Sequence, residues 1–348
     1  MKQDYLWDGS GEPDPEVQKL EQLLAPLRYR RPAPEIDLRP EPASPSRRRF
    51  RLDLRIAGAA ACLVLAAAAG WWLLREKPYY EVVRLEGSAR VGAEELGAVG
   101  RLQTGQWLTT DDFSRARIHI GDLGDVEIEA NTRIQLVRAS VAEQRLRLQR
   151  GVLHARIWAP PGSFLVDTPF AQVVDLGCAY TLAIGADGTG MLRVTSGWVA
   201  FEHRGRESFV PAGALCRAHP DLGPGTPYRS DASALLQSAL EDVDLDEGKR
   251  TGALVAVLAE ARPEDSLTLW HLLSGTAGKD RAAVYDRLAQ LSAPPPGVTR
   301  LGILSLNREM LDLWWNQLGL GDTAFWRQWK GPWPGPKLPR PRCLMRAR

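Results

Sequence analysis

The chain has 348 residues, 25% of them charged and 44% hydrophobic, with a formal net charge of +2. That length holds two ordinary domains with connecting segments, and the near-neutral balance excludes a chain built as a whole for nucleic-acid binding. Gly (32) and Pro (25) are plentiful, which favours many turns over long helices.

The first 52 residues read as a tail with one helix. Asp14-Pro15-Glu16 supplies an N-cap, a proline at the first helical position and an acid near the positive end of the helix dipole. Val17, Leu20, Leu24 and Leu27 follow at helical spacing and form one apolar stripe on a helix over 14–28. So short a tail has no core of its own to cover the stripe. It is therefore expected to dock on a protein partner, a second copy or the membrane surface. Trp7, in the run Trp7-Asp8-Gly9, offers a further aromatic anchor. Pro32, Pro34, Pro40, Pro42 and Pro45 then make residues 32–46 an extended, semi-rigid linker.

Residues 56–74 read IAGAAACLVLAAAAGWWLL, without a charge. At about 1.5 Å per residue, such a helix matches the hydrocarbon core of a bilayer. Residues 53–76 are thus expected to cross the membrane once. Trp71 and Trp72 mark one interface, and Arg47, Arg48, Arg49, Arg51 and Arg55 crowd the other side. By the positive-inside rule the N-terminus is cytosolic and the chain beyond about residue 78 lies outside the cytosol. The opposite flank carries Arg75 and Lys77, so the bias is unequal rather than absolute. A cleavable signal peptide is not expected, because polar chain precedes the apolar run.

From 79 to 219 the pattern changes to short alternating runs between turn residues. Ala116, Ile118 and Ile120 alternate with Arg117 and His119. Val126, Ile128 and Ala130 alternate with Glu127 and Glu129. Leu146/Leu148, Leu153/Ala155/Ile157, Phe164/Val166, Tyr180/Leu182/Ile184, Leu192/Val194 and Val199/Phe201 follow. Each strand is expected to hide one face and wet the other. The spacing predicts an all-β sandwich or solenoid.

The residues of this region resemble the FecR domain family. The matching stretches are 102–105 (LQTG), 121–127 (GDLGDVE), 131–134 (NTRI), 146–151 (LRLQRG), 164–169 (FLVDTP), 175–178 (DLGC) and 194–199 (VTSGWV). Where the family usually has Gly-Thr, this chain has Gly177-Cys178. The resemblance covers roughly 84–216 and implies an all-β, solenoid-like periplasmic domain preceded by a single membrane span. It also implies a regulator that relays envelope signals to an extracytoplasmic-function sigma factor.

Beyond Pro220 the period becomes helical, and residues 228–320 are expected to form a small helical bundle. Leu235, Leu236, Ala239, Leu240 and Val243 form one stripe, and Leu254, Val257, Leu258 and Ala261 another. Further helices are expected over 267–273, 282–291 and 306–318, with Trp314 and Trp315 in the core and Gly319 just past the last helix. Residues 321–348 form a basic tail rich in Trp and Pro.

Cys62, Cys178, Cys216 and Cys343 show no metal spacing. Outside the cytosol, Cys178 and Cys216 are candidates for a disulfide; the alternative is two buried thiols on strands. HExxH, GxSxG and P-loop patterns are absent, so neither catalysis, a cofactor nor a bound metal is expected. His119 and His154 are expected on a solvated strand face. Asp122, Asp125, Glu127 and Glu129 form an acidic patch, a plain strand face rather than a calcium site. Basic residues do not interleave with aromatics in the central region, so no nucleic-acid partner is expected.

The expected function is that of a single-pass inner-membrane signalling protein with a periplasmic sensor domain. Its expected partners are the membrane, a cytosolic sigma factor or other regulator, and a periplasmic or outer-membrane protein. The alternative is an envelope structural or binding module for peptidoglycan, polysaccharide or another envelope protein.

Overall fold

The computed structural model describes residues 15–25, 78–203 and 206–321. The chain divides into two compact units, 1–74 and 75–348. In the first, the described element is helix α1 (Pro15–Leu24). The apolar run 56–74, the proline linker, Leu27, Cys62, Cys343 and the tail 322–348 lie outside the described residues. Among the described residues no helix is long and apolar enough to cross a membrane.

The second unit is mainly β and antiparallel, followed by helices. Its strands form two sheets. The first runs, edge to edge, β4 (Val99–Gln103), β1 (Tyr79–Glu86), β6 (Arg115–His119), β7 (Gly124–Ile128), the second half of β9 (Gln144–Ile157), β12 (Ala179–Ile184), β13 (Gly190–Ser196) and β16 (Ala214–His219). Short strands β17 (Gly223–Pro224) and β18 (Tyr228–Arg229) pair with β16. The second sheet runs β3 (Glu94–Glu95), β2 (Ala89–Val91), β5 (Trp107–Thr110), β8 (Arg133–Ala139), the first half of β9, β10 (Phe164–Asp167), β11 (Gln172–Asp175), β14 (Trp198–His203) and β15 (Arg206–Pro211). Only the β9–β10 pair is parallel among these.

Strand β9 belongs to both sheets. Residues up to Arg150 pair with β8, and those from Gly151 pair with β12 and then β7. The bend falls at Gly151, whose φ is +96°. A Cβ there would run into Thr132, whose hydroxyl accepts the Val152 N–H at 2.9 Å. Glycine is needed because both the backbone angle and the close approach exclude a side chain.

The alternating residues of the sequence face inward as period two requires. Ile118, Ile128, Leu148, Leu153, Val166, Leu182, Leu192 and Phe201 are all fully buried. Each such side chain contributes about 1.5–3 kcal/mol of burial. The two sheets meet in one core: Phe170, in the β10–β11 turn, packs its ring against Gly190 of β13. Tyr80 of β1 donates to Gln144 at the start of β9.

The helices are α2 (Ala234–Leu245), α3 (Arg250–Glu260), α4 (Ser266–Gly275), α5 (Gly278–Leu291), α6 (Arg300–Leu304) and α7 (Arg308–Gln317). Ser233, Thr299 and Asn307 cap α2, α6 and α7 by accepting backbone N–H groups. Gly319, with φ +69°, sits just past α7 as its spacing predicts. Leu235, expected on the buried stripe of α2, is instead exposed. Helix α4 is apolar on most sides and buried from Ser266 to Leu273, because it lies between strands and helices. His271 joins the two parts. Its Nε2 accepts the Phe209 N–H of β15 at 3.0 Å, and its Nδ1 lies 2.9 Å from the Leu267 carbonyl. Trp315 stacks edge-on against Trp270, His271 and Phe209, with centroids 4.8, 5.7 and 5.9 Å away. Trp314 and Trp315 are core residues, as the sequence predicts.

Candidate partner-binding surfaces

Helix α1 has no buried residue. Leu20 is 58% and Leu24 55% exposed, and Leu23, which lies beside the predicted stripe, is 70% exposed. Val17 is half-buried. Glu16 stands in the first turn, where the helix dipole favours an acid. Among the described residues the stripe is thus an exposed apolar face.

The first sheet presents a polar trough of about 490 Å³ on its outer face. Strand register builds it. One row runs Arg117, Glu127, His154, Thr181 and Arg193 across five strands, and the next runs His119, Asp125, Arg156 and Ala179. Nearly every charge in it has a counter-charge. Arg117 meets Glu127 at 2.6 Å, Arg115 meets Glu129 at 3.0 Å, and His119 meets Asp125 at 2.5 Å. His154 places Nε2 3.3 Å from Glu129 and Nδ1 2.8 Å from the Thr181 hydroxyl. The Arg117 hydrogen bond holds the Glu127 carboxyl below its usual range, against the opposing effect of burial. The hydrogen bond and charge of Glu129 push the Arg115 guanidinium up. Asp125, Glu127 and Glu129 of the acidic patch thus face arginine and histidine partners in a lattice, and Asp122 stands outside it in the 121–123 turn. Among the described residues no cluster could hold a metal ion. Such half-exposed pairs each contribute about 0–1 kcal/mol. Their larger effect is to fix side-chain positions across the trough.

A second polar group lies inside. Asp175, fully buried at the end of β11, accepts the Gly177 N–H at 2.7 Å and the Cys178 thiol at 2.8 Å. Desolvation pushes its carboxyl up to about 7, despite those hydrogen bonds. Burial and the nearby Asp175 also push the Cys178 thiol and the Tyr180 hydroxyl up.

The structure does not join Cys178 to Cys216. Both are buried thiols, and the Cys216 sulfur lies 3.4 Å from the carbonyls of Arg217 and Gly225. Register explains why. Cys216 stands opposite Leu192, and Leu192 opposite Leu182. Cys178 precedes Leu182 by four positions, about 13 Å along the strand, and lies two strands away, about 10 Å across the sheet. A disulfide needs Cα atoms within about 7 Å.

The outer face of the second sheet was not singled out by sequence. Arg133 lies opposite Arg150, and Arg138 opposite Arg145, while Arg147 faces Gln135. The Arg133 guanidinium covers the Trp107 ring at 4.5 Å from its centroid. Two carboxylates approach this group: Glu143 lies 2.7 Å from Arg145 and 3.2 Å from Arg138, and Asp167 lies 3.4 Å from Arg145 and 4.0 Å from Arg147. Pairing of arginines that are 7 and 17 positions apart is set by register, which no local spacing reveals.

The described residues thus build a two-sheet domain with polar outer faces. The FecR protein family matches residues 106–200, from the start of β5 into β14. Two crystal structures of a candidate anti-sigma factor from Parabacteroides distasonis resemble the chain at 15% identity, covering 39% of it, with a TM-score of 0.32. The chain spans 64% of the length of those structures. No curated protein sequence matches it.

Proposed function

We propose that the protein is a single-pass inner-membrane regulator that relays a periplasmic state to a cytosolic sigma factor. In this reading 1–52 is a cytosolic tail, 53–76 the span, 79–219 a FecR-like sensor, 228–320 a helical region and 321–348 a basic tail. The exposed leucine stripe of α1 carries the reading: among the described residues Leu20 and Leu24 are exposed and the helix buries none. It is supported by the match of 106–200 to the FecR protein family and by the charge-free run 56–74 flanked by arginines. The partner's contact with Val17, Leu20, Leu24 and Leu27 is of the helix-in-groove kind, read at i, i+3 and i+7. A relay further requires that the partner bind two states of the protein with different affinity.

The test is co-purification of the full chain with cytosolic sigma factors, paired with a reporter fused after Arg348. The reading expects a sigma factor to be retained by the parent and lost in Leu20→Asp and Leu24→Asp. It also expects the reporter to be active outside the cytosol. A reporter active only in the cytosol, or retention unchanged by both substitutions, overturns it.

A further inference from the structure

Opposed arginines are an unusual thing for a sheet to tolerate. Like charges directly across a pair of strands oppose folding. Yet β8 and β9 set Arg133 against Arg150 and Arg138 against Arg145, with Arg147 between them. Five guanidinium groups meet two carboxylates, Glu143 and Asp167, on this stretch. Arg150 and Arg138 are exposed, and Arg147 is half-exposed at its side chain. The excess is local. Further along the same sheet Glu202 lies opposite Glu207, an opposed pair of the other sign.

We propose that this half of the second sheet's outer face docks an anionic polysaccharide, whose carboxylate, phosphate or sulfate groups seat between the opposed arginines. The guanidinium fork matches such groups in a bidentate manner. Successive outward residues of β9, Arg145 and Arg147, stand about 7 Å apart, and neighbouring strands about 5 Å, so the cations form a flat grid rather than a single pocket. Exposed Gln149, between Arg147 and Arg150, offers an amide donor and acceptor suited to sugar hydroxyls, while the Gln135 and Gln172 amides are held by Gly105, Arg147 and Asp167. Other anionic partners fit less well. Nucleic-acid bases need an open aromatic platform, and Arg133 already caps Trp107. A lipid surface calls for apolar side chains that enter it. Among the described residues beside the patch, Val141 at the β8–β9 hairpin tip is the fully exposed one. This proposal does not depend on the sigma-factor reading, because it concerns a different surface and a different ligand.

The experiment measures binding of the detergent-solubilised full chain to polygalacturonate, heparin and neutral dextran between 50 and 200 mM salt, with phosphatidylglycerol vesicles as a separate arm, salt sensitivity being the signature of charge-driven binding, at about a tenfold or greater loss over this range. The parent is expected to bind polygalacturonate and heparin but not dextran. Arg133→Gln/Arg150→Gln and Arg138→Gln/Arg145→Gln should each weaken binding about tenfold and flatten the salt dependence. Arg133→Gln/Arg150→Gln relieves repulsion and should keep the parent's melting temperature, which separates lost binding from lost fold; Arg138→Gln/Arg145→Gln also removes the ion pairs to Glu143 and Asp167 and should lower it. Arg193→Gln, on the other sheet, should bind as the parent does. Equal binding by parent and double variants would overturn the proposal and assign the affinity to the basic termini. Dextran binding as tight as polygalacturonate overturns it too. Tighter, arginine-dependent binding to the vesicles would reassign the surface to a membrane.

Discussion

The outer faces of the two sheets share a strand and treat charge in opposite ways. Strand β9 contributes His154 and Arg156 to the first face and Arg145, Arg147 and Arg150 to the second. On the first face register sets arginines against carboxylates, and the lattice Arg117–Glu127 and Arg115–Glu129, with His119 hydrogen-bonded to Asp125, is nearly closed on itself. On the second, register sets arginine against arginine. A closed lattice gives the sheet a defined polar surface and leaves little charge for a ligand. An open one gives up stability and leaves charge to be satisfied from outside. Binding surfaces are where such local conflict is expected.

The contrast can be broken at its hinge. Gly151→Val forces a β-branched residue into a left-handed backbone against Thr132 and should destabilise the domain by about 2–6 kcal/mol, the sum of backbone strain and overpacking. Urea unfolding of the variant measures it, and a loss under about 1 kcal/mol would mean β9 does not bend there. Next in size is a pH effect from Asp175. Its carboxyl is raised to about 7 in the fold and ionises near 4 when unfolded. The folded state therefore takes up a proton between pH 7 and 4 that the unfolded state does not, so this group makes the fold more stable as pH falls through that window. The gain is on the order of 4 kcal/mol at most. Asp175→Asn should remove that slope in thermal unfolding followed between pH 8 and 4; an unchanged slope would show the carboxyl is not the titrating group.

Glu127 works in the opposite sense. Arg117 holds its carboxyl low, so its contribution is present above the unfolded carboxylate range and lost as pH falls through its depressed folded value. Glu127→Gln should cost about 0.5–1 kcal/mol at pH 7 and nothing in strong acid, where the parent's carboxyl is itself protonated. A cost that persists at low pH would point to packing instead. The smallest effect belongs to the second face. Arg133→Gln/Arg150→Gln should stabilise by about 0.2–0.5 kcal/mol in low salt and by less at 1 M, where the Debye length is about 3 Å. Destabilisation there would mean that the Arg133–Trp107 contact outweighs the relieved repulsion.

Much of the inward pattern was legible without the structure. Period-two runs from Ala116 to Phe201 located strands β6, β7, β9, β10 and β12 to β14 and their core residues, because alternation is a local consequence of the pleat. The stripe at Val17, Leu20 and Leu24 was legible for the same reason, at helical period. Leu235 misled because α2's exposed side begins one residue earlier than the stripe suggests. The short strands β2, β3, β17 and β18 were not legible, since two or three residues carry no period. Nor was the joint at His271, whose ring meets Phe209 across 62 positions of chain.

By itself the amino-acid sequence determined which side of each longer strand is wet and most of which helix face is greasy, since these follow from spacing within a few residues. Only the tertiary structure decided what each outward charge faces. It set Arg117 beside Glu127 but Arg133 beside Arg150, and kept Cys178 far from Cys216. The physical reason is register: a ladder is fixed by the fit of the buried faces, and the outward residues take whatever neighbours that fit assigns them.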